Sequence, residues 1–292
     1  MAFRHDSQTS TAPESWAKPE GSAADAVATL FREHAPMIHA LGLRLSGSPS
    51  EADEIVQDTF LQAYRRWETF DGRSKPSTWL YTIAVRSWKR RHRGPLGRDR
   101  RMPSLEQVMP FHDPVSVDLV EGQPSTRVEH AETVARMQEA VAALPDAFRV
   151  PLLLKDLLEL SVEETGRVLG VKPETIKTRL HRARLALRQE LLKELPTKPA
   201  PAPIFERQQC VDLLRAKLES MDRGEPFPRQ RELICDRCRG VFDELDLAQR
   251  LCLELDGKAA KARLEGMLAK LERSIASDRR GASASRSDKG FS

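Results

Sequence analysis

No stretch of about 18 consecutive apolar residues occurs in this chain, so no membrane-spanning helix is expected. The first 24 residues, MAFRHDSQTSTAPESWAKPEGSAA, hold no apolar core and do not read as a secretory signal, so a cytoplasmic location is expected. Aromatic residues are scarce, at 5%, while charged residues reach 31%; the balance suits a soluble, helix-leaning chain with small cores. Cysteine is absent from the first two thirds: Cys210, Cys235, Cys238 and Cys252 are all there is, and their clustering in a reducing compartment points to metal or redox chemistry rather than structural disulfides. No histidine follows His181. A phosphate loop, a Ser/His/Asp grouping and a carboxylate pair in a pocket are all missing, so an enzyme is not expected.

What is present is clumped basic charge. The net charge is only +4, but ten Lys/Arg and one acid, Asp99, fall between Arg73 and Arg101. Seven Lys/Arg and two Glu fall between Lys172 and Lys193, and are expected on the solvated face of a helix there. Clumping of this kind points to a polyanion partner.

The second clump lies in SVEETGRVLGVKPETIKTRLHRARLALRQELL, Ser161 to Leu192. Val162, Thr165, Val168 and Leu169 mark one helix face, Gly170 a turn, and Ile176, Leu180, Ala183 and Leu187 the face of a second helix opened by Pro173. A short helix, a glycine turn and a basic second helix make a helix-turn-helix, whose second helix can enter a major groove. An amphipathic hairpin with a solvated basic face would carry the same pattern.

The first clump follows two predicted amphipathic helices. Asp25 can cap one carrying Val27, Leu30, Phe31, Ile38, Leu41 and Leu45; Ser50, with Asp53 three residues on, opens one carrying Ile55, Val56, Phe60, Ala63, Tyr64 and Trp67. The acids Glu51, Asp53, Glu54 and Asp58 at the start of the second also suit its dipole. A loop at Asp71-Gly72 and Lys75-Pro76 leads to a third helix, capped by Ser77 or Thr78, in which Trp79, Tyr81 and Trp88 interleave with Arg86, Lys89 and Arg90. Rings that stack on bases beside cations that follow phosphates suit single-stranded DNA, although Trp79 and Tyr81 fit a core equally well.

Four stretches together carry a family resemblance: LFREHAPMIHALGLRL, ADEIVQDTFLQAYRRWETFDGRSKPSTWLYTIAVRSWKRRHR, ALPDAFRVPLLLKDLLELSVEETGRVLGV and ETIKTRLHRARLALRQEL. In order and spacing the chain resembles the extracytoplasmic-function (ECF) sigma factors of the sigma-70 family. That resemblance implies an all-α protein with two helical sigma domains, residues 25–94 (region 2) and 126–193 (region 4), joined by a flexible linker over 95–125. It implies promoter-specific initiation with core RNA polymerase and promoter DNA as partners. Asp53, Glu54, Gln57, Asp58 and Phe60 then dock on polymerase. Arg73, Ser74, Lys75, Trp79, Tyr81, Arg86, Lys89 and Arg90 melt and read the −10 element. Glu174, Thr175, Lys177, Thr178, Arg179, His181 and Arg182 read or hold the −35 element. A helix-turn-helix regulator with a fused sensor domain is the alternative, but such a regulator has no need of the aromatic-basic helix at 77–93.

Beyond this lie a Pro-rich spacer (194–203), a small helical cysteine module (204–276) and a basic Gly/Ser/Arg tail (277–292) that is expected to be disordered, like residues 1–24. The module resembles a zinc-binding anti-sigma domain, which implies zinc or another thiophilic metal on Cys210, Cys235 and Cys238. The family's histidine falls on Arg231, which cannot bind metal, so Glu232, Asp236 or water completes the site, or no metal binds and the module is a helical unit with inert cysteines. If Cys238 and Cys252 lie on one continuous helix, about 21 Å separates them, so Cys252 reads as core. A module of this type on the same chain predicts control in cis, through metal or redox state and contact with the sigma domains.

Overall fold

The structure is a computed structural model that describes residues 22–92, 110, 115–116, 127–193, 197–227, 234–253 and 264–276. The N-terminal stretch to 21, most of the linker, Arg231, Glu232 and the tail from 277, for which expectations were stated above, lie outside the described residues.

The architecture is all-α. Helices α1 (Ala23–Ser46), α2 (Pro49–Arg65) and α3 (Pro76–Arg91) form the first unit. Their caps differ from expectation by a few residues. Ser22, rather than Asp25, caps α1, accepting from the Asp25 amide at 3.3 Å. Ser48, rather than Ser50, caps α2, because Pro49 at the first helical position needs no hydrogen-bond partner for its nitrogen. Pro76 starts α3 in the same way, with no side-chain cap from Ser77 or Thr78. Helices α1 and α2 approach closely at Gly42, where an added Cβ would lie 3.1 Å from the Ala52 Cα.

The second unit comprises α4 (Arg127–Ala143), α5 (Asp146–Leu152), a π-helical turn (Leu153–Leu157), α6 (Val162–Leu169) and α7 (Pro173–Leu192). The stretch 147–160 is not one regular helix, and its register breaks at the π turn. Pro151 inside α5 lacks the N–H for the regular ladder, and the chain continues with a wider turn in which the Leu158 amide bonds the Leu153 carbonyl at 3.1 Å. The turn buries Asp156, which proves important below.

Helices α8 (Arg207–Arg223), α9 (Asp236–Leu253) and α10 (264–276) complete the chain. Helix α9 begins at Asp236, which leaves Cys235 just ahead of it. A two-residue antiparallel ladder pairs Val115 with Lys198 and Ser116 with Thr197, joining the linker expected to be flexible to the Pro-rich spacer.

The three predicted units are not separate bodies. One continuous apolar cluster runs from Ala26 and Phe60 through Trp88, Leu154 and Leu180 to Leu251, Leu271 and Ile275. A smaller cluster holds Leu185 of α7 together with Cys210, Leu214, Cys235, Cys238 and Phe242 of the module. Helix α7 is thus shared between its own unit and the module. Among the described residues no helix is long and apolar enough to cross a membrane.

The helix-turn-helix is shaped by local rules. Ser161 and Glu164 form a reciprocal capping box at 2.9 and 3.0 Å, and Gly170 ends α6 at φ 67°. At Gly166 the backbone turns back so tightly that a Cβ would stand 2.7 Å from the Val171 carbonyl oxygen. Gly166→Ala is therefore expected to destabilise the chain by about 1–3 kcal/mol, the usual cost of overpacking. A denaturation midpoint equal to wild type would contradict this.

Candidate nucleic-acid and polymerase interface

On α2 the predicted polymerase contacts divide. Glu54 and Gln57 are exposed, and Asp53 and Asp58 are half-buried. Phe60 is fully buried, its ring 4.7 Å from that of Phe31, so it shapes α2 from inside and offers no surface. The acids already have partners on the same unit. Asp58 accepts from Ser87 at 3.0 Å and from Arg91 at 2.7 Å, with Arg90 at 3.6 Å; Glu54 pairs with Arg91, and Asp53 lies 3.2 Å from His39. Those acid partners, chiefly Asp58, raise the Arg91 pKa against a smaller desolvation effect. The second and third turns of α2 are thereby tied to the end of α3.

The predicted −10 surface divides as well. Asp71 accepts from the Arg73 amide at 3.1 Å and from its guanidinium at 2.5 Å, which fixes the loop; the amide bond first, and the guanidinium after it, hold the Asp71 carboxyl below its usual range. Arg73, Lys75, Arg86, Lys89 and Arg90 are exposed, and Ser74 is half-buried. Trp79 is half-exposed, leaning on Phe70 at 5.1 Å and Trp67 at 6.2 Å, so one part of its ring stays available. Tyr81 is 5% exposed and belongs to the core, where burial pushes its hydroxyl pKa up. Trp88 is also buried, and the Arg149 guanidinium sits over it at 5.4 Å.

In the helix-turn-helix, Glu174, Thr175, Lys177 and Thr178 are exposed on the first turns of α7, in the position of groove-facing residues. Arg179 is half-buried, and Arg182 lies over the Phe148 ring at 4.9 Å. His181, grouped with the DNA contacts by resemblance, instead bonds Asp222 of α8 at 2.9 Å.

The basic face expected along α7 is not all solvated. Arg184 and Arg188 are 3% and 0% exposed. Arg184 is held between two carboxylates: Asp156 of the π turn takes its Nε at 3.2 Å and its Nη2 at 2.8 Å, and Asp222 takes its Nη1 at 2.5 Å. Arg188 donates to Glu244 of α9 at 2.6 Å, and Glu244 is itself 1% exposed. Desolvation would lower the Arg184 pKa, but Asp156 and Asp222 outweigh it and raise the value. Burial likewise pushes Asp222 up, yet His181 and Arg184 prevail and hold it below the ordinary range. Sequence reasoning missed this network. An arginine at a helical period of four, next to Leu and Ala, carries no mark of a buried partner 28 to 56 residues away.

The two predicted DNA surfaces also face one another. Lys75, ahead of α3, lies 3.7 Å from Glu164 of α6. The Lys89 side chain is exposed, yet its ammonium loses part of its water to the neighbouring unit; that desolvation and then the nearby Arg179 lower its pKa, partly offset by Asp146.

In the module, Cys210, Cys235 and Cys238 are buried in one apolar cluster with Leu214, Val241 and Phe242. Burial pushes the Cys235 thiol up, but neighbouring donors, the Cys238 amide foremost, outweigh it and hold it below its usual value. Burial, followed by the Cys235 and Cys210 sulfurs, pushes Cys238 far up. All three thiols are free, and Cys210 donates to the Phe205 carbonyl at 4.0 Å. Among the described residues no group of three or more His, Cys, Asp or Glu side chains is arranged to hold a metal ion, and Glu232, one of the groups expected to complete a zinc site, lies outside them. The Cys252 side chain lies outside the described residues.

Comparison with known proteins bears on these surfaces. A family model for sigma-70 region 2 matches residues 30–95, and one for sigma-70 region 4 matches residues 135–187; neither reaches the cysteine module. The chain is 32% identical over 170 residues to the ECF RNA polymerase sigma factor SigW of Bacillus subtilis, covering 57% of this chain and 89% of that protein. It is 30% identical over 175 residues to the RNA polymerase sigma factor HrpL of Pseudomonas syringae pv. syringae, covering 60% and 90%. With SigM of Mycobacterium tuberculosis, another ECF RNA polymerase sigma factor, it shares 32% identity over 160 residues, covering 54% and 73%. By the two matched regions and these relatives, the chain belongs to the ECF sigma factors of the sigma-70 family.

Proposed function

We propose that the chain directs promoter-specific transcription initiation as a specificity subunit of RNA polymerase in the cytoplasm, acting by binding rather than by catalysis. The observation that carries this reading is the joint presence of α3, with Trp79 half-exposed among cations, and the helix-turn-helix of α6 and α7 with its polar first turns exposed. The first suits unstacked bases and the second a duplex groove. Glu54, Gln57 and Asp58 offer polymerase an acidic edge, and its engagement would compete with Arg90 and Arg91 for Asp58.

The form described is closed. A major groove is about 12 Å wide, whereas Lys75 and Glu164 stand 3.7 Å apart, so DNA cannot lie between α3 and α6 without their separation. The cysteine module adds a second restraint, which is our reading of control in cis. Asp222 and Glu244 hold His181, Arg184 and Arg188 of the recognition helix. Glu219, Asp222 and Glu225 also line, together with Lys177, a cavity of about 630 Å³ beside the helix-turn-helix, where their charge opposes an approaching phosphate. Buried ion pairs are strongly unfavourable to break one partner at a time, about 3–5 kcal/mol, which suits a two-position device.

Run-off transcription with core polymerase and a promoter library tests the first reading: specific start sites above core alone are expected, and their absence rejects it. Asp222→Ala tests the restraint, because Arg184 keeps Asp156. Several-fold higher initiation at limiting protein is expected, and unchanged initiation would count against the module as a brake. The lowered Asp222 value also fixes a pH window. Its stabilisation is complete above the unfolded value of about 4 and is lost as pH falls through the lower folded value. The melting-temperature gap between wild type and Asp222→Asn should therefore stay constant above about pH 4 and close below it.

A further inference from the structure

The cavity of about 630 Å³ beside the helix-turn-helix takes its walls from two bodies. Lys155 of the π turn, Glu159 after it, Glu163 of α6 and Lys177 of α7 come from one, and Glu219 and Arg223 of α8 from the other. Part of its charge is already answered. Asp222 is held by His181 and Arg184, Glu164 accepts from the Ser161 amide and lies 3.7 Å from Lys75, and Glu225 pairs with Arg223 at 2.5 Å. Glu159, Glu163 and Glu219 are left without a salt bridge among the described residues. Lys155 is the counterpart of opposite sign. It is 9% exposed, it lines the cavity, and among the described residues its side chain has neither a hydrogen bond nor an ion pair. A buried ammonium without an acceptor is costly, and the cavity is where an acceptor can reach it.

We propose that this cavity binds a ligand with a free carboxylate and a guanidinium side chain, which is the chemistry of arginine, free or at the end of a short peptide. The carboxylate meets Lys155, and the cationic groups meet Glu159, Glu163 and Glu219. Ligands of one sign fit less well. A phosphate would satisfy Lys155 but face the three unpaired carboxylates. A polyamine would suit the carboxylates but leave Lys155 unanswered and repel it. A bare metal ion finds no group of three acids arranged to hold it among the described residues. A planar guanidinium meets carboxylates in a bidentate way, which favours it over a simple ammonium. The volume also lies inside the usual range for small-ligand sites, about 300–1,000 Å³. Because the walls belong to two bodies, an occupied cavity holds α8 against the π turn and α6, so the ligand favours the closed form. That regulatory meaning rests on the restraint proposed above; the binding site itself does not.

The test titrates the full chain by isothermal calorimetry, in separate arms, with L-arginine, glycyl-glycyl-L-arginine, agmatine and L-citrulline. Agmatine keeps the guanidinium and lacks the carboxylate; citrulline keeps the carboxylate and lacks the side-chain charge. Arginine or the tripeptide is expected to bind about tenfold or more tightly than agmatine and citrulline, the loss that goes with one charge-assisted contact. The tighter of the two names the source, a free amino acid or a peptide end. Lys155→Met, which keeps the length of the side chain and removes its charge, should erase the advantage over agmatine and leave agmatine binding unchanged. Glu163→Gln, at an exposed position, should weaken arginine and agmatine together and leave citrulline unchanged. Binding in no arm, equal affinity for arginine and agmatine, or arginine bound as tightly by Lys155→Met as by wild type would each overturn the assignment. Because binding is read without polymerase or DNA, a failure of the restraint by the module would leave this result intact.

Discussion

Arg184 is the residue on which the arrangement turns. A guanidinium 3% exposed can stay charged only if every donor finds an acceptor, and two carboxylates from opposite sides supply them. Asp156 comes from the π turn of its own unit and Asp222 from the module. The helix that reads DNA is thereby built into two bodies at once. Arg188 repeats the theme one turn on, with Glu244 as its acceptor. The ion pairs set direction, and the apolar contacts around Leu185 supply the area.

That sharing explains why the chain packs as one body although the family resemblance implies two domains on a tether. The core runs unbroken from α1 to α10, and Arg149 over Trp88 and Lys75 beside Glu164 close the first unit against the second. The surfaces suited to DNA are partly turned toward each other. A free chain held this way carries its own restraint, and the energy of binding polymerase and promoter must supply the separation.

The sequence made the helices legible because apolar period and punctuation agree. Val27 to Leu45, Ile55 to Ala63 and Ile176 to Leu187 are buried where their spacing puts them. The α1 and α2 caps are Ser22 and Ser48, three and two residues ahead of Asp25 and Ser50, because their hydroxyls stand where they accept the Asp25 and Glu51 amides. The π turn was hidden because Pro151 early in a helix usually costs little; here it shifts the register that buries Asp156. The family resemblance implies surface roles for Phe60 and Tyr81, but large rings on an amphipathic stripe go inward first. The buried arginines could not have been read, because charge on a helix is solvated unless another element brings a partner, and that partner lies far along the chain.

The most direct measurement is the distance between α7 and the end of α8, read by pulsed electron paramagnetic resonance from labels at the exposed positions Thr178 and Glu219. The account predicts one narrow, short distance in the free chain, replaced by a longer one when core polymerase and promoter DNA are added. A broad distribution in the free chain, or a distance unchanged in the complex, would contradict it.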